Sequence, residues 1–106
     1  MSSFVVFSTV PSAKEANRIA KLLVQNHLAA CVNLVPGIRS YFWWNGKVDQ
    51  GREVLLVIKT RKQKFRMLEK WLKKNHPYQI PEIIALPIER GCRKYLAWIG
   101  RSLEGL

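Results

Sequence analysis

The sequence predicts an α+β domain of β-α-β-β-α-β order with one further C-terminal helix, the ferredoxin-like split βαβ arrangement. Three observations carry this. Apolar β-rich runs and amphipathic helical stretches follow one another in that order along the 106 residues. An Asn45-Gly46 pair stands between the second and third β-rich runs, and both central residues of a type I′ turn need positive φ. The strands flanking that turn are long, and the aromatic quartet Tyr41-Phe42-Trp43-Trp44 leads directly into it.

The first strand is Phe4 to Val10, apolar on both parities and therefore central. Pro11 ends it. Ser12 and Glu15 form a capping box for the first helix, which runs to about His27. Ala16, Ile19, Ala20, Leu22, Leu23 and Val24 make its buried stripe, with Lys14, Arg18, Lys21 and Gln25 outside. The second strand starts at Ala30. Pro36-Gly37 predicts a bulge in it, and it resumes from Ile38 to the turn. The return strand runs from Lys47 to about Thr60. Its centre, Val54 to Ile58, has no polar alternation and predicts burial on both faces. A two-residue loop places Arg39 opposite Arg52, which is unfavourable for like charges. Either the bulge shifts the register, or both side chains face solvent or an acidic partner.

The second helix spans about Lys62 to Asn75. Phe65, Leu68 and Leu72 share one arc with Trp71 at its margin, and Arg66, Lys70, Lys73 and Lys74 lie opposite. Pro77 stops it. Ile83 to Ile88 is the fourth strand, and the last helix runs from Cys92 to about Leu103. Its Tyr95, Leu96, Trp98 and Ile99 predict docking on the body. Right-handed crossovers put the two main helices on one sheet face. Phe4, Val6, Leu55 and Val57, or the residues alternating with them, then line the other face. They are too apolar to be wet. With aromatics on both faces of the hairpin, this predicts symmetric self-association.

Residues 1–106 read as a single domain, with 48% apolar residues and no apolar run near the roughly 20 residues that span a bilayer. Met1-Ser2-Ser3 leads into the first strand without a basic n-region or cleavage site, which predicts a cytoplasmic protein. Cys31 and Cys92, 61 residues apart with no C-x-x-C, read as free thiols. The net charge is +11, and eight of the eighteen basic residues fall between Lys59 and Lys74 with one acid, Glu69. Such a segment is either a solvated helix face or an electrostatic footprint for nucleic acid. No Walker loop or Gly-x-Gly-x-x-Gly is present, and two histidines with seven acids assemble no nucleophile–base–orienter set. The expectation is a protein that is not an enzyme, with no catalytic residue and no firmly bound cofactor.

Further residues stand in a recognisable order: Ala30-Cys31-Val32-Asn33, Pro36-Gly37, Ser40, Trp44-x-Gly46-Lys47, Glu53-Val54, Ile58-Lys59-Thr60, His76-Pro77-Tyr78, Pro81-Glu82-Ile83 and Tyr95-Leu96-x-Trp98. On these the chain resembles the CutA family, the divalent-cation tolerance proteins. The resemblance implies a tight homotrimer like that of the PII signalling proteins, with a role in tolerance of copper and other divalent metals. It attaches no enzymatic activity. The copper site described in the family, a cysteine late in the first strand and a His-His pair before Pro-Tyr, falls here on Ser8, Asn75 and His76. A hydroxyl and an amide are poor ligands for copper, so His76 is the one family-type ligand retained.

Other candidates come from the residues themselves. Glu53 and Lys59 share strand parity and, with Cys31, Trp44, Tyr78 and Glu82, are expected to line an intersubunit cleft that takes Cu(II), another divalent metal or a small anionic ligand. Cys92 opens a helix beside Arg90, Arg93 and Lys94, a setting that favours thiolate. Against the trimeric metal-tolerance reading stand an RNA-binding ferredoxin-like module and a signalling or scaffold trimer. The third strand lacks the aromatics on which an RRM stacks bases, so nucleic-acid binding is expected to be non-specific. Short loops and burial between subunits predict high thermal stability.

Overall fold

The computed structural model describes residues 2–104. Seven elements follow the predicted order: β1 (Ser3–Val10), α1 (Ala13–Gln25), β2 (Cys31–Trp44), β3 (Lys47–Arg61), α2 (Lys62–Asn75), β4 (Ile84–Pro87) and α3 (Arg93–Ser102). The strands form one antiparallel sheet in the order β2-β3-β1-β4.

Local chemistry sets the ends. Ser12 Oγ accepts the Glu15 amide at 3.2 Å, as a cap should. The Glu15 carboxylate turns to Arg18 instead, at 2.7 Å. Asn45 and Gly46 both take positive φ, 51° and 74°, and close the hairpin between Trp44 and Lys47. The β2–β3 register slips between Val35 and Ile38, where Gly37 has φ 73°. The bulge therefore sits on the far side of Arg39 from the turn, and Arg39 remains opposite Arg52 with both exposed.

The core lies between the sheet and the two long helices. Val6, Val10, Leu56 and Ile58 meet Ile19, Leu23, Leu68 and Leu72, all fully buried. Ala30, Ile99 and Leu103 form a smaller cluster that docks α3. Four expectations need correcting. Val24 is exposed rather than part of the α1 stripe, because Ile19 and Leu23 already fill the contact with the sheet. The centre of β3 is fully buried on one face: Val54, Leu56 and Ile58 are inside, while Leu55 and Val57 are half-buried. The expected set for the open sheet face mixes two faces. Val6 pairs with Ile58 and points at the helices, and Phe4 on the same parity meets Phe65 edge-on at 6.0 Å. The open face carries Val5, Phe7, Leu55 and Val57, with Ile84 and Leu86 of β4 beside them. β4 is shorter than expected; Ile83 packs on the core outside the ladder.

Candidate functional site

β3 carries the predicted cleft residues at two separate places. At one end Glu53 accepts a hydrogen bond from the Tyr78 hydroxyl at 2.7 Å. Burial and then the Glu53 carboxylate push the Tyr78 hydroxyl well above its usual range, so it stays a donor. Six residues along the strand, roughly 20 Å, Lys59 pairs across the ladder with Cys31. Its ammonium reaches Asn33 Oδ1, a partner that sequence did not single out. The Cys31 thiol points at the same oxygen at 3.9 Å. Tyr95 of α3 stands beside Cys31, its ring tilted against Trp98 at 5.5 Å, and burial with the neighbouring thiol raises its hydroxyl. Trp44 is at the hairpin tip and 63% exposed, and Glu82 is exposed before Ile83. Within one chain the six residues form two pairs and two outliers rather than one pocket.

The positions that the resemblance marks for copper are placed as follows. Ser8 is fully buried on the core face, opposite Leu56, and its hydroxyl has no hydrogen-bond partner among the described residues. Asn75 donates its side-chain amide to Trp71 O at 2.8 Å, and its backbone carbonyl accepts from Arg18 Nη2 at 2.8 Å. His76 is 8% exposed at the C-cap of α2. The Tyr78 amide donates to Nδ1 at 3.0 Å, so Nε2 carries the proton and donates to Thr9 O at 2.9 Å. Both ring nitrogens thus serve the backbone. Burial holds the imidazole below its usual pKa, opposed by the Thr9 carbonyl and the carboxylates of Glu15 and Glu53. Among the described residues no three His, Cys, Asp or Glu side chains converge as a metal-binding group. Cys92 caps α3, exposed and without a side-chain cap hydrogen bond.

Two further residues were not visible in the sequence. His27, at φ 56°, ties the end of α1 to the end of α3 through Ser102 O at 3.0 Å. Arg61 lays its guanidinium against Gly100 and donates to Leu96 O at 3.3 Å; any Cβ on Gly100 would fall within 2.4 Å of that group. Both are contacts between distant segments, and neither leaves a local pattern.

Large apolar side chains stand exposed on the open sheet face and on the hairpin. Ile84 and Leu86 of the open face are each 53% exposed, and the hairpin presents Tyr41 at 66% and Trp43 at 74%.

The family model for CutA1 divalent ion tolerance protein matches residues 4–102. The chain is 49% identical over 100 residues to the rice protein named CutA 1, chloroplastic, covering 94% of this chain and 56% of the relative's length. It is 50% identical over 95 residues to the divalent-cation tolerance protein CutA of Thermus thermophilus, covering 90% of this chain and 92% of that one. The crystal structure of CutA from Xylella fastidiosa superposes with a TM-score of 0.95 at 36% identity, covering 98% of this chain and 100% of that one.

Proposed function

This chain belongs to the CutA1 divalent ion tolerance family, and from that premise we propose that it works as a homotrimer in the response to divalent metal, without enzymatic chemistry. The observation that carries the reading is the open sheet face. Val5, Phe7, Leu55, Val57, Ile84 and Leu86 are contiguous across three strands, and the aromatic hairpin extends the apolar surface beyond the body. An apolar surface of that continuity marks an interaction site. A closed ring of identical subunits covers it and gives each hairpin a neighbour.

Ligands enter at the clefts between subunits. The Cys31–Asn33–Lys59 group lies on the covered face and offers a thiol, a carbonyl oxygen and an ammonium. It suits a soft metal or a small anion. The Glu53–Tyr78 pair, closed on itself by a hydrogen bond, serves as a structural tie. Copper at the family-type position is a weak ligand here, because His76 has both nitrogens engaged and Ser8 and Asn75 are poor donors.

Light scattering after size exclusion tests the assembly: three copies are expected at micromolar concentration, and a monomer would overturn the reading. Titration calorimetry tests the metal. Weak Cu(II) binding is expected from the unmodified protein, and Ser8→Cys with Asn75→His should raise it if the three positions share the family-type geometry. Submicromolar, His76-dependent binding by the unmodified chain would refute the placement of ligands at the cleft.

A further inference from the structure

α2 departs from rules that helices of its length usually follow. Its cap residue, Arg61, makes no side-chain cap hydrogen bond, and its first turn has no acid. Lys62 and Lys64 stand there instead, cations at the positive end of the helix dipole. Lys62, Arg66, Lys70 and Lys74 then recur every four residues, and all four are exposed. On a helix such positions form one ridge, roughly 18 Å long at 1.5 Å per residue. Like charges four apart destabilise the helix that carries them.

The acids of the helical layer do not relieve this. Glu69 pairs with Lys73 at 3.6 Å and Glu15 with Arg18 at 2.7 Å, so among the described residues no row cation has an ion pair. The fold does not need the row either. α2 is anchored from its other side by Leu68 and Leu72. Local choices that oppose stability and serve no internal contact are those a sequence keeps for function.

We propose that this ridge is a docking strip for the phosphate backbone of duplex nucleic acid. A helix that lies on lipid needs a broad apolar face beside its cations. α2 exposes Met67 as its one large apolar residue, since the rest of that face is in the core. Single-strand recognition needs aromatic platforms among the cations, and the exposed Tyr41, Trp43 and Trp44 are on the hairpin, not on α2. What remains is a rigid ridge of charge that winds about 120° across the outward face of the helix, which suits a run of phosphates that itself winds, and reads no bases. This assignment is independent of the metal-tolerance reading and of the oligomeric state.

The test measures binding of the full chain to a short mixed-sequence DNA duplex by fluorescence anisotropy across a salt series. Each phosphate contact contributes about 0.9 to the slope of log affinity against log salt. Arg66→Gln with Lys70→Gln should therefore lower the slope per bound chain by roughly 1.8. Lys62→Gln with Lys74→Gln, at the ends of the row, should do the same and guards against a folding defect in the first pair. Arg93→Gln with Lys94→Gln in α3 removes the same charge elsewhere and should leave the slope unchanged. An equal loss in all three variants would show a net-charge effect and overturn the strip. Absence of duplex binding at low salt would overturn it too, as would α2-dependent binding only to vesicles of phosphatidylcholine and phosphatidylserine.

Discussion

α1 and α2 lie on the same sheet face, are 13 and 14 residues long, and share one core, but their ends are built by different rules. α1 has a serine cap, an acid in its first turn and an internal Glu15–Arg18 pair, with Arg18 holding the Glu15 carboxyl below its usual range. α2 has a basic first turn, no side-chain cap and four like charges in a row. α1 is helical for local reasons as well as tertiary ones. α2 is helical because Leu68 and Leu72 are fully buried beneath it, with His76 fastening its end to β1. Tertiary packing can carry a helix whose N-terminal end argues against it, here with basic Lys73 and Lys74 favouring the other end.

The sharpest way to break this contrast is Leu72→Ala. A cavity under α2 should cost about 2–5 kcal/mol, read as a lower denaturation midpoint at fixed protein concentration. A loss of less than about 1 kcal/mol would mean that α2 does not depend on the core. Ser12→Ala removes the α1 cap and should cost about 1 kcal/mol. In α2 the same kind of edit should run the other way. Lys62→Glu places an acid at the positive end of the dipole and should stabilise by about 0.5 kcal/mol; a loss would show that Lys62 has an internal role.

The smallest effect concerns pH. His76 is held below its ordinary pKa of 6.5 by burial, among Glu15, Glu53 and Arg18. The unfolded chain then binds its proton first. The stabilising share of His76 is present above the unfolded value and is lost as pH falls through the folded one. Thermal midpoints between neutral pH and about pH 5 should fall on acidification, and His76→Gln should flatten that fall. An unchanged slope in the variant would remove His76 from the account.

Much of the fold was legible because its signals are local. The Asn45-Gly46 turn, the Ser12 cap, the Pro36-Gly37 bulge and the stop at Pro77 each depend on a few adjacent residues. Face assignment failed at Phe4 and Val6, since β1 is apolar on both parities and only its pairing with Ile58 and Thr60 decides which side is which. The candidate cleft shows the same limit. Parity correctly put Glu53 and Lys59 on one strand face, but not the distance between them. Nor could a sequence pattern reveal Asn33 on Lys59 or Arg61 on Gly100, because each partner comes from a distant segment.

The bulge at Val35–Ile38 has a mechanical consequence. Beyond it the hairpin is a lever arm, from Ile38 to Trp44 and back, whose length is roughly 20 Å. The subunit measures 44 Å along its longest axis against 25 and 23 Å across. One extra residue at the fulcrum sets where this arm aims. A change of about 20°, comparable to the twist between adjacent strands, would carry Trp43 and Trp44 about 7 Å sideways. Deleting Gly37 would leave every pair from Ile38–Glu53 to the turn able to form, yet swing the tip away from whatever it meets. The address of the aromatic tip is thus written in a backbone residue count, far from the exposed side chains of the tip itself.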